Sequence, residues 1–115
     1  MPFSEAGKNT MLDALTADLV QLHSGDPGAA GTSNALGSKV ASTFAAASGG
    51  ARALSAQVDF TGLTASQSVT HFSVWKNDTA DVFEGSGQIT TGDTAANSAG
   101  EFSLTTDTEL TINDS

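Results

Sequence analysis

VTHFSVWK, Val69 to Lys76, carries the alternation that decides the fold. Successive side chains of a strand point to opposite faces, so Phe72 and Val74 share one face. Val69, His71, Ser73 and Trp75 share the other. β-Branched and aromatic residues favour a pleated, half-buried surface, and Asn77-Asp78 supplies a turn directly after the run. Apolar residues on both faces predict a strand at least partly covered on each side.

The same period recurs on either side of this strand. Upstream, in VQLHSGDPG (Val20 to Gly28), Val20 and Leu22 alternate with Gln21 and His23 before Gly25-Asp26-Pro27-Gly28 reverses the chain. GAAGTSNALGS, Gly28 to Ser38, is small and polar and reads as a surface loop. Lys39 to Ala47 reads as a second strand with Val40 and Phe44 on one face. Ser48-Gly49-Gly50 is a hairpin signal, and Ala51 to Phe60 returns with Leu54, Val58 and Phe60 at even spacing. Downstream, Val82 to Ile89 makes a strand interrupted by Gly85 and Gly87, and Thr91 to Gly100 reads as loop. Two closing strands carry Phe102 and Leu104, then Leu110 and Ile112, with a turn near Thr106-Asp107.

Only the N-terminal segment has helical spacing. Ser4 is a good N-cap, Glu5 suits the first turn, and Met11, Leu12 and Leu15 fall on one stripe. A helix is predicted from about Ser4 to Thr16, weakened by Gly7 at a cost of about 1 kcal/mol relative to alanine. Phe3 is placed to staple back onto it. Many short strands punctuated by turns predict a mainly β chain: an antiparallel β-sandwich or jelly-roll-like domain with one N-terminal α-helix. Residues 1–115 are expected to form a single domain, with helix over about 4–16 and β-sandwich over about 19–113.

Charge narrows the partners. The net charge is −9, with only four Lys and Arg, so phosphate binding by clustered cations is not expected. An anionic membrane surface is disfavoured for the same reason, and no apolar run is long enough to span a bilayer. Cysteine is absent, which removes disulfides, thiolate zinc sites and a cysteine nucleophile together. No early segment has the pattern of a secretion signal, and production in the cytoplasm is expected.

Candidate chemistry centres on His23. Ser24 is its sequence neighbour and points to the opposite face of a strand, while Asp26 is better placed to cap the turn. A Ser-His-Asp site needs all three groups in hydrogen-bond reach, and no G-x-S-x-G elbow is present. His23 and His71 lie on different strands, short of the three or four ligands zinc requires. Asp78, Asp81 and Glu84 lack the ordered calcium-loop pattern. The chain is therefore read as non-enzymatic, without cofactor or metal. Trp75 reads first as a residue sealing one side of the sandwich, and otherwise as an interface anchor or ligand platform.

Taken in order, SEAGKNTMLDAL, VQLHSGDPG, STFAAASGG, ALSAQVDF, VTHFSVWKN and GEFSLTTDTELTI resemble the small virion proteins of tailed bacteriophages. That group includes minor capsid, head-decoration and minor tail proteins, typically of actinobacterial phages. The resemblance implies a structural virion protein that associates with the major capsid protein or other virion subunits, as a homo-oligomer or bound to a lattice. A minor capsid protein cementing the head is the first expectation. A minor tail or tail-tip protein is the alternative, and a carbohydrate- or receptor-binding module is the second. Contact residues are expected in the N-terminal segment (Phe3, Lys8, Met11), in the long loop (Leu36) and at Trp75.

Overall fold

In the computed structural model, which describes residues 4–89 and 94–111, the Val69–Lys76 alternation becomes an interior strand of a four-stranded antiparallel sheet. The elements are α1 (Glu5–Asp13), β1 (Leu19–His23), β2 (Ala35–Ala41), β3 (Ala51–Ala53), β4 (Val58–Phe60), β5 (His71–Lys76), β6 (Val82–Gln88), β7 (Phe102–Leu104) and β8 (Glu109–Thr111). The large sheet runs β2-β1-β5-β6, and two antiparallel ribbons, β3-β8 and β4-β7, stand apart from it. Val20 and Leu22 of β1 and Phe72 and Val74 of β5 share one core with Leu54, Val58, Phe60, Phe102, Leu104 and Leu110 of the ribbon side. The chain is thus mainly β, antiparallel, with an N-terminal helix.

The helix is shorter than its spacing suggests. Ser4 caps it by accepting the Gly7 amide at 3.0 Å. It stops at Asp13 because the next residues have another partner: the Glu84 carboxylate takes the Thr16 amide at 3.0 Å and the Ala17 amide at 2.8 Å. Ala17 adopts a φ of 51°, and the chain turns there into β1. Leu12 is the buried residue of α1 and joins the common core. Phe3, expected to staple the helix, lies outside the described residues, as does Ile112.

The second strand is displaced from its expected position. It spans Ala35–Ala41 rather than Lys39–Ala47, pairing Leu22 with Leu36 and Val20 with Val40. A bulge between those pairs places Gly37 at a φ of 65°, and the Gln21 side chain donates to its carbonyl at 2.9 Å. Glycine admits that left-handed backbone without a Cβ clash, which is why a stretch that looks like loop can be strand. The Ala51–Phe60 run is likewise two strands, not one. The Leu54 amide bonds to Thr108 and the Ser55 amide to Thr43, so the chain passes from one ribbon to the other between β3 and β4. The hairpin turn forms as its glycines predict, with Ser48 and Ala51 exchanging bonds of 2.8 and 3.1 Å. The closing strands do not pair with each other but with β4 and β3.

Candidate functional site

The sheet face opposite the core carries His23, Ser73, Trp75 and Phe83, and the segment after β1 folds back over it. Asp26 starts the reversal by accepting the Gly28 amide at 2.9 Å, and Pro27 is fully buried. Gly31 lies against the Phe83 ring, where any Cβ would collide with the ring carbons. Trp75 packs on Phe83 with ring centroids 5.3 Å apart, and the Lys39 ammonium sits 4.3 Å from the indole centroid. These contacts supply the cover that the alternation in β5 demanded.

Beneath that cover runs a directed chain of hydrogen bonds. His23 Nδ1 is 2.8 Å from the Ser33 carbonyl, which can only accept, so Nδ1 carries the proton. In the neutral ring Nε2 then accepts from the Ser73 hydroxyl at 2.6 Å, and Ser73 Oγ accepts the Trp75 indole N–H at 2.7 Å. Every polar group in the chain is satisfied, which low-dielectric burial requires. Burial holds the His23 pKa below its ordinary 6.5; proximity to His71 acts in the same sense, and the Ser33 bond opposes both.

A serine and a histidine at this distance resemble a nucleophile and its base, but the surroundings give them another role. Both are 0% exposed, so no substrate reaches Oγ. The Trp75 N–H also engages one of the two Oγ lone pairs, which lowers the nucleophilicity of the oxygen. The residues first considered beside His23 do not converge on it: Ser24 pairs through its amide with Asn34, and Asp26 caps the turn. The two histidines do meet, as cross-strand neighbours of β1 and β5, with His71 Nδ1 2.8 Å from Thr70 Oγ1. Among the described residues no three His, Asp or Glu gather as metal ligands. Asp78, Asp81 and Glu84 serve separate partners: the Thr79 amide, the Lys39 ammonium at 3.4 Å, and the Thr16–Ala17 backbone.

The expected contact residues are scattered. Trp75 is 6% exposed, a packing residue whose ring offers no open platform. Leu36 is half-buried on β2 against the core. Lys8 is half-buried on α1, its Cδ 3.4 Å from where a Cβ on Gly50 would stand. Met11, one turn further along the helix, is 38% exposed, and Phe3 lies outside the described residues. Sequence reasoning missed the roles of Ser73, Glu84 and Arg52, whose partners are distant in the chain and are brought close by the fold. On the β4-β7 ribbon, donors from Gln57 and then Ser103 hold the exposed Asp59 carboxyl below the usual carboxylate range.

A family model described as Podophage GP4 fiber I protein gp80 matches residues 4–111, nearly the whole chain. The chain belongs to this family. No curated protein and no solved structure gives a match. Membership in the gp80 fiber family makes the chain a structural protein of the phage virion, associated with other virion components. No helix among the described residues is long and apolar enough to cross a membrane.

Proposed function

We propose that this chain is a non-catalytic structural subunit of a phage fiber, carried on the tail side of the particle. The observation that carries this reading is the match to a fiber protein family over residues 4–111. It favours the tail alternative over a head-decoration protein cementing the capsid lattice. Burial of the His23–Ser73 pair supports a structural role, since this arrangement, which resembles a catalytic dyad, is closed to substrate. Burial of Trp75 takes away the aromatic platform that a carbohydrate-binding reading relied on.

Residues 1–115 are read as one domain, because a single core joins Leu12 of α1 to Leu110 of β8. Of the contact positions named from sequence, Met11 is the one retained, for its exposure. The test is location. Particles labelled with gold-conjugated antibody fragments against this chain should carry gold at the tail and its fibers in electron micrographs. Gold spread over the head shell would overturn the reading.

A further inference from the structure

β6 is an edge strand of the large sheet, with β8 packed beside it but not hydrogen-bonded to it as a ladder among the described residues. It pairs with β5 and, among the described residues, has no strand hydrogen-bonded on its other edge. Sheet edges are ordinarily blunted by lysine, proline, kinks or cover, because their free N–H and C=O groups template another chain. At the opposite end of the sheet β2 has such devices, a left-handed Gly37 and a charged Lys39. β6 has neither lysine nor proline, and its one charged residue, Glu84, turns its carboxylate onto the Thr16 and Ala17 amides. The register shift with β5 falls at Glu84, leaving Gly85–Gln88 regularly paired.

Beside this edge the surface changes character over two residues. Gly85 faces the same side as its core partner Val74, yet nothing stands within 4 Å of where its Cβ would be. The space opens into a notch of about 210 Å³ walled by Met11, Leu12 and Leu15 of the α1 segment and Leu110 of β8. That is smaller than the roughly 300–1,000 Å³ of a small-molecule pocket and suits a side chain. An adjoining cleft of about 260 Å³ is lined by Gly87, Gln88, Asp107 and Glu109, with Thr111 common to both.

We propose that the free edge of β6 takes an extended segment of another virion protein, bearing an apolar side chain and, two residues on, a lysine or arginine. Residues i and i+2 of a strand face the same side about 7 Å apart, the step from Gly85 to Gly87. The apolar side chain enters the Gly85 notch and the cation meets Asp107 and Glu109. Charge selects a basic partner over a second copy. The chain is −9 overall. Of its four Lys and Arg, Lys39 is held by Asp81 and Trp75, Arg52 is tied to backbone carbonyls, Lys8 is half-buried on α1, and the exposed Lys76 ends β5, whose two edges are already paired by β1 and β6. A basic segment is attracted to such a surface, whereas another copy brings like charge. The identity of the partner as a virion protein rests on the fiber-subunit reading.

The test is photo-crosslinking in assembled particles, with benzoylphenylalanine replacing the exposed Ser86 on β6. The expected product joins this position to another virion protein, at a segment with an apolar residue and a Lys or Arg two apart. Asp107→Lys combined with Glu109→Lys should lower the yield about tenfold while leaving the thermal midpoint of the isolated protein in place. A product with a second copy, a segment without that pattern, no product in particles containing the chain, or a yield unmoved by charge reversal would each overturn the proposal. Failure of the fiber reading shows separately, as gold label on the head.

Discussion

Both ring nitrogens of His23 are engaged inside the protein, Nδ1 with the Ser33 carbonyl and Nε2 with the Ser73 hydroxyl. A second proton on the ring turns Nε2 into a donor, and Ser73, already accepting from Trp75, loses the acceptor for its own O–H. Burial, with His71 acting in the same sense, keeps the folded-state pKa below 6.5, the value the ring regains on unfolding. The unfolded chain therefore binds the proton more readily. The His23 contribution to stability is complete above pH 6.5 and is lost as pH falls through the folded value. Urea midpoints should be level on the alkaline side of 6.5 and begin to drop below it, before the carboxylates titrate. Midpoints that stay flat until the carboxylate range would contradict the neutral, donor–acceptor assignment. Little of this was legible in VQLHSGDPG. The turn and the capping role of Asp26 follow from local chemistry, but Ser73 lies 50 residues away and reaches His23 only through the β1-β5 register.

α1 is held to the ribbons by polar clamps at its C-terminal end. Arg52 Nη1 donates to the Leu12 and Leu15 carbonyls at 3.0 and 2.6 Å, and its Nε donates to the Ala45 carbonyl at 3.0 Å. Asp13 and Asn9 accept the Ala47 and Gly50 amides at 2.7 and 3.0 Å. A cation at these carbonyls adds to the Leu15 amide that the Leu12 carbonyl already accepts and complements the helix dipole. Arg52→Ala should lower unfolding free energy by about 1.5–3 kcal/mol, the worth of a hydrogen bond to a charged group, with Arg52→Lys in between. Urea denaturation measures it, and a change under about 0.5 kcal/mol would place Arg52 among ordinary surface residues. Elements were legible where apolar residues were large and regularly spaced, as in β5, β1 and the glycine hairpin. They were misplaced where the pattern rests on small residues. β2 holds ALGSKVA, whose Gly37 bulge breaks the alternation, and Ala51–Phe60 conceals a change of partner at Ser55 that no period records.

For the molecule as a whole, the architecture leaves two kinds of surface. On the sheet face of Trp75 and Phe83, Phe83 and Lys39 cover Trp75 and Gly31 of the 24–34 segment lies against Phe83, which leaves Trp75 buried and Phe83 half-buried. The β6 side stays open, with Val82 and Met11, 47% and 38% exposed, as the large exposed hydrophobics among the described residues. A strongly acidic body with an open strand edge suits a subunit placed by its neighbours in an assembly. The class of the chain, small, β-rich and virion-borne, was legible in the succession of its segments. Its place on the particle was not, because shell and fiber subunits both call for a small β module that self-contained chemistry does not distinguish. The most direct measurement is the copy number of this chain in purified particles, by quantitative mass spectrometry against the major capsid protein. A fiber subunit predicts a small number of copies, a minor fraction of the capsid protein. Copies approaching those of the capsid protein would contradict it and return the chain to the head.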